Sequence, residues 1–290
     1  MANFDLPNIA KLTKGVKLIF NGLQKAPNKK YLDIATEVNT KSHTVDYAWL
    51  NNLPAMKKWI GLRNRKRLKD NTYAIVKEDW EATIEVTRDD FLFDRLGLVK
   101  TQVQQLNHAV IKHYNKLVHS LISLNGVCFD GQPFFGPHTV GLAANAVIYD
   151  NMGTAKLTEA ALFDIIAFMQ SIKDEEGEEL EIEPTILLIA PNLLKQAKTI
   201  LGAKTIAGTD NIALNMLEMR VVQSMPANAW CVLDTSQPLK PFILQITKPG
   251  KIEVDSSKMF DEKLISYGID TMDNAGYGFW QMAFYSDGSV

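Results

Sequence analysis

The sequence predicts an α+β chain built around one unusually long helix, and three observations carry that prediction. Apolar residues recur every three or four positions from Asp94 to Leu124, strict alternation runs from Trp80 to Thr87, and short apolar stretches of strand length dominate beyond residue 210. The 290 residues, 46% hydrophobic and 9% aromatic, suffice for a sizeable core in one elaborate domain or two modest ones. With 31 Lys and Arg against 33 Asp and Glu, the formal charge of −2 excludes a surface built throughout to coat nucleic acid. Any basic function must be local.

Residues 1–60 mix short apolar clusters with polar ones and are interrupted by Ala26-Pro27-Asn28-Lys29-Lys30, a pattern that suits an arm better than a core. Between positions 57 and 69 stand seven basic side chains: Lys57, Lys58, Arg63, Arg65, Lys66, Arg67 and Lys69. Tyr73–Val76 and Trp80–Thr87 then read as two strands of a hairpin across Lys77-Glu78-Asp79, with Trp80, Ala82, Ile84 and Val86 on one face. An isolated hairpin is marginal in water, so this one is expected to lie on another surface, such as that of a second subunit.

The long helix has Val99, Val103, Leu106, Val110, Tyr114, Leu117, Leu121 and Leu124 along one stripe. It would be a rod of roughly 46 Å. Asn125-Gly126 supplies the left-handed stop, and Gly97 is its weak point. Residues 126–156 are rich in Gly and Pro and read as loops with short strands. Thr158 caps a helix that runs to Ile172 and ends at the acidic turn holding Glu175, Glu176 and Glu178. A buried strand at Thr185–Ile189 and a helix at Leu193–Leu201 follow. The remaining strands are Met219–Val222, Trp230–Leu233, Phe242–Ile246, Ile252–Val254, Ile265–Ile269 and Gly278–Tyr285.

Two cysteines without a CxxC pair exclude a zinc ribbon, a thioredoxin motif and a disulfide scaffold, and point to a reduced, intracellular history. Asp5, Lys11, Lys14 and Lys17 break the first twenty residues, leaving neither a signal-peptide core nor a membrane span. The expectation is a soluble chain made and used in a cytoplasm, with no membrane partner. Cys128, Asp130 and His138 fall close together, and a Cys–His pair makes a thiolate nucleophile if the ring reaches the sulfur. Asp130-Gly131 and the aromatics Phe129, Phe134 and Phe135 favour a structural turn instead. His108, His113 and His119 cannot chelate one ion pairwise from a single helix at these spacings. The chain has no phosphate-binding loop, dinucleotide fingerprint, nucleophile elbow or HExxH motif. No catalytic residue, cofactor or metal ligand is therefore assigned. The basic run, with Trp59 available to stack, is a nucleic-acid candidate; an exposed face contacting an acidic partner is the preferred reading.

Several segments together go further: Tyr31-Leu32-Asp33-Ile34-Ala35-Thr36, Tyr47-Ala48-Trp49-Leu50, Met56-Lys57-Lys58-Trp59-Ile60-Gly61-Leu62-Arg63 and Phe129-Asp130-Gly131-Gln132-Pro133-Phe134-Phe135. Leu157-Thr158-Glu159, Ile182-Glu183-Pro184-Thr185-Ile186-Leu187-Leu188, Trp230-Cys231-Val232-Leu233 and Asn274-Ala275-Gly276-Tyr277-Gly278-Phe279-Trp280-Gln281-Met282-Ala283 continue the series. In order and approximate spacing, from about residue 30 to 286, they resemble the major head subunit gpT family of Mu-like phages and prophages.

The resemblance implies the Hong Kong 97-type phage major capsid fold. Residues 1–60 would be an N-terminal arm, 61–90 an extended β-hairpin loop, and 91–139 a peripheral domain with its spine helix. Residues 140–235 would form the axial domain and 236–290 the return strands of the peripheral domain. It also implies self-assembly into hexamers and pentamers of an icosahedral shell around double-stranded DNA, touched through non-specific contacts. The accompanying partners would be a scaffold protein, a maturation protease, a portal and decoration proteins. Arg63, Arg65, Arg67, Lys69, Trp80, Glu175, Glu176 and Glu178 are the expected intersubunit contacts. An encapsulin-like shell of the same fold, a hydrolase using Cys128 and His138, and a nucleic-acid module on residues 57–69 stay open as alternatives.

Overall fold

The computed structural model describes residues 29–47, 73–87, 96–141, 146–206, 208–259 and 261–290. A short helix α1 (Tyr31–Ile34) leads into β1 (Ala35–Asn39) and β2 (Thr44–Asp46). Then come β3 (Ala74–Val76), β4 (Glu78–Thr87) and the helix α2 (Leu96–Leu124), 29 residues and about 43 Å long. Strands β5 (Pro137–Val140), β6 (Val147–Asp150) and β7 (Met152–Gly153) precede helix α3 (Glu159–Gln170) and strand β8 (Ile186–Ile189). Helix α4 (Leu194–Gly202), the short strands β9 (Thr205–Ile206) and β10 (Thr209–Asp210), and β11 (Glu218–Val221) follow. The chain closes with β12 (Trp230–Leu233), β13 (Phe242–Asp255), β14 (Leu264–Tyr277) and β15 (Ala283–Ser286).

Two sheets organise these elements. The first has the order β1-β13-β14-β4, with β1 parallel to β13 and the other pairs antiparallel, and α2 packs across it. Along β14, Ile265, Tyr267, Ile269, Thr271 and Asp273 alternate inward, as the period of a strand requires. The second sheet has the order β11-β8-β12-β15-β7, with α3 against β15 and α4 against β11. Strands β8 and β12 are buried at every position, which explains why Ile-Leu-Leu-Ile and Trp-Cys-Val-Leu are continuous apolar runs rather than alternating ones.

Several sequence expectations hold. Asn125 ends α2 with φ of 44°, the left-handed stop its position suggests, and the Thr158 side chain caps α3 by accepting from Ala161 N at 3.1 Å. Others need correction. Strand β4 does not pair with Tyr73–Val76; it runs antiparallel to β14, while β3 pairs with β2. A strand of its own chain thus lies beside β4, because alternation fixes which face of a strand is apolar but not which strand pairs with it. The segments expected as separate strands at 242–246 and 252–254 are one strand, β13, whose register shifts around Pro249-Gly250, where proline has no N–H for the ladder. The strand expected over Gly278–Tyr285 is broken by a 3₁₀ turn at Trp280–Met282, and only β15 beyond it is strand. Within residues 236–290, β13 and β14 lie in the first sheet and β15 in the second.

Candidate functional site

The loop after α2 and the segment after β14 lie far apart in sequence and pack together. Phe134 stacks on Tyr277 with ring centroids 4.7 Å apart, and Phe129 meets Phe279 edge to face at 6.0 Å. His138 on β5 lies flat on Trp280 at 4.1 Å, with an interplanar angle of 5°. Between them, the buried Asn151 accepts from Gly136 N and donates to the carbonyls of Phe134, Trp280 and Ala283. Every polar atom of that amide is satisfied, as a fully buried position demands. At Gly278 a Cβ would lie 2.6 Å from the Lys240 carbonyl oxygen, so only glycine permits this close backbone approach.

Cys128, Asp130 and His138 sit inside this junction. The Cys128 thiol donates to Asp130 Oδ1 at 3.0 Å, and His138 Nδ1 meets Asp130 Oδ2 at 2.6 Å. The second ring nitrogen of His138, Nε2, faces the Phe134 carbonyl at 3.2 Å. The carboxylate therefore stands as the hydrogen-bond partner of both the sulfur and the ring. Burial first, and the bond to Asp130 second, push the thiol pKa well above its ordinary value. Burial alone would also raise the Asp130 carboxyl, but hydrogen bonds from His138, Cys128 and the Gln132 amide outweigh it and hold the group below the usual carboxylate range. A protonated thiol bonded to a carboxylate is poorly arranged as a nucleophile, so the geometry favours the structural turn over the hydrolase.

A second polar contact joins α2 to the first sheet. Asp273 occupies an inward position of β14 and is fully buried; His113 Nε2 reaches its Oδ1 at 2.8 Å. Trp80 on β4 covers the outer side of that ring at 4.5 Å and remains 38% exposed. Trp80, an expected intersubunit contact, thus rests on its own chain's helix while keeping an open edge.

The expected acidic contacts lie on the turn between α3 and β8. Asp174 Oδ1 accepts from the amides of Glu176 and Glu178, and Gly177 takes a φ of 84° that favours glycine. The fold of this turn presents Glu175, Glu176 and Glu178 outward. Beneath it a cavity of about 200 Å³ is lined by Asp174, Glu178, Glu179 and Glu181 together with Phe279 and Gln281. Arg63, Arg65, Arg67 and Lys69 lie outside the described residues. Sequence reasoning missed Asn151, Asp273 and the part Tyr277 plays. Only Asp273 left a signal, as a carboxylate at an inward position of an alternating strand.

The profile of the family described as "Mu-like prophage major head subunit gpT" matches residues 9–156, 139–225 and 215–290. The chain is 27% identical over 277 residues to the Mu-like prophage FluMu major head subunit of Haemophilus influenzae, covering 93% of this chain and 70% of that protein. It is 25% identical over 287 residues to the major capsid protein of Escherichia phage Mu, covering 97% and 73% respectively. Among solved structures, a chain of the bacteriophage JBD30 procapsid superposes with a TM-score of 0.62 at 24% identity, over 98% of this chain and 76% of that one.

Proposed function

Since the chain belongs to the Mu-like prophage major head subunit gpT family, we propose how its parts serve a phage head. It is a major capsid protein of the Mu-like type with the phage capsid fold, and its relatives are structural head proteins. The observation that carries this is the extent of the family match, which runs from residue 9 to residue 290 and so spans both sheets and α2. In our reading, copies associate as hexamers and pentamers that close into an icosahedral shell, since heterologous contacts whose rotation closes give rings, and many weak contacts sum to a stable container. The shell encloses double-stranded DNA, assembly takes place in the host cytoplasm, and a scaffold, a maturation protease, a portal and decoration proteins attend it. Among the described residues no helix is long and apolar enough to cross a membrane.

Within that shell we assign residues 61–90 to the extended loop and α2 to the spine of the peripheral domain. The basic side chains Arg63, Arg65, Arg67 and Lys69 would meet the acidic turn of Glu175, Glu176 and Glu178 on a neighbouring copy. Seven cations within thirteen positions and an outward acidic turn are complementary in sign, which supports this pairing. Trp80, with its open edge, would belong to the same contact zone. Negative-stain microscopy of the purified chain, alone and with its scaffold, tests the function. Closed shells, rings or tubes are expected, and a persistent compact monomer under every condition would overturn the reading.

A further inference from the structure

The Cys128, Asp130 and His138 cluster combines a thiol, a carboxylate and an imidazole in one buried place, and structural support alone does not require that set of donors. One ligand atom from each residue lies within 4.8 Å of the other two. A tetrahedral zinc ion, with bonds of about 2.0–2.3 Å, sets its ligand atoms roughly 3.3–3.6 Å apart, so the three donors are already gathered near the required spacing. We propose that Cys128 Sγ, Asp130 and His138 Nδ1 form a binding site for one Zn²⁺ ion per subunit.

The surrounding groups support the assignment. A carbonyl oxygen only accepts, so His138 Nε2 must carry the proton that faces Phe134 O. That bond, with the ring lying flat on Trp280, holds Nδ1 toward the cluster. A backbone carbonyl on the far nitrogen of a ligating histidine is the usual outer support of a zinc site. Thiolate, carboxylate and neutral imidazole together cancel the charge of the ion, so the loaded site leaves no net charge buried. The Cys128 and His138 side chains are closed to solvent, whereas the Asp130 side chain is 22% exposed. Asp130 therefore marks the entry path and the side on which a water completes four ligands. A soft thiolate with a nitrogen donor selects zinc, cobalt or cadmium over magnesium or calcium.

The test uses the full chain without a polyhistidine tag, stripped with chelator and then titrated with Zn²⁺ or Co²⁺. One equivalent of Zn²⁺ should be retained per subunit, and Co²⁺ should give a sulfur-to-cobalt charge-transfer band in the near ultraviolet. Cys128→Ser and Asp130→Asn should each weaken binding at least tenfold and, for the serine variant, abolish the band. Should a variant fold poorly, the unaltered chain decides the matter by itself, through the Zn²⁺ it retains after dialysis and the cobalt band it shows. Absence of retained metal and of the band would overturn the site and leave a hydrogen-bonded clasp only. Particle formation reads the head-protein function separately, so failure of one idea is distinguishable from failure of the other.

Discussion

The hydroxyl of Tyr277 donates to the carbonyl of Leu121 at 2.9 Å, closing the last turn of a helix whose own sequence lies more than a hundred residues away. The same oxygen accepts from the amide of Gly126 at 2.6 Å, so one side chain adds a second donor to the Leu121 carbonyl, which already accepts from Asn125 N at 3.1 Å, and satisfies the Gly126 N–H beyond the helix end. Tyr277→Phe should keep the stack on Phe134 and lose both bonds, at a cost of about 1–3 kcal/mol. Urea unfolding of unassembled subunits measures it, and an unchanged midpoint would refute the role.

His113 and Asp273 should behave as a coupled pair. His113→Ala leaves a fully buried carboxylate without its partner, a loss of several kcal/mol for an enclosed pair and less here because the ring side chain is 22% exposed. Asp273→Asn made on the His113→Ala background should recover part of that loss by removing the charge. A double-mutant cycle read by thermal unfolding checks the sign of the coupling.

His119 gives a pH dependence. Burial, reinforced by the ammonium of Lys30, lowers its pKa below the ordinary value. Between that lowered value and about 6.5 the unfolded chain binds a proton that the folded chain refuses, so this contribution to stability is full above about pH 6.5 and falls as the pH drops. His119→Gln should flatten the slope of unfolding free energy against pH across that window. Equal slopes in the two proteins would exclude the effect.

Charge reversal tests the proposed contact between copies. Arg63, Arg65 and Arg67 changed together to Glu should give soluble subunits that fail to close shells, and normal particles would sink the idea. Combining that change with Glu175, Glu176 and Glu178 to Lys should restore at least some closed particles, which electron microscopy would count directly.

How far the fold could be read in the sequence depended on how local each determinant was. The stripe from Leu106 to Leu121, the Asn125 stop and the Thr158 cap act within a few residues, and the structure has them where the pattern places them, whereas Leu124, expected on the same stripe, is exposed. Partner choice is not local. Nothing in Trp80–Thr87 identifies Leu264–Tyr277 as its neighbour rather than Tyr73–Val76. Cys128, Asp130 and His138 were visible as a group because one loop and the strand after it carry all three, whereas Trp280, which orients the ring, comes from the far end of the chain. Asn151 was invisible for a different reason: its importance lies in four backbone groups, which no residue pattern marks.

The order of strands in the two sheets also governs when the subunit becomes whole during synthesis. Strand β1 must wait for β13, more than two hundred residues later, and the second sheet stays open until β15 has left the ribosome and slid between β12 and β7. Such distant pairings make folding slow and leave sheet edges bare in partial chains. A truncated nascent chain therefore lacks a strand from the middle of its second sheet, and only finished subunits present complete surfaces to their neighbours.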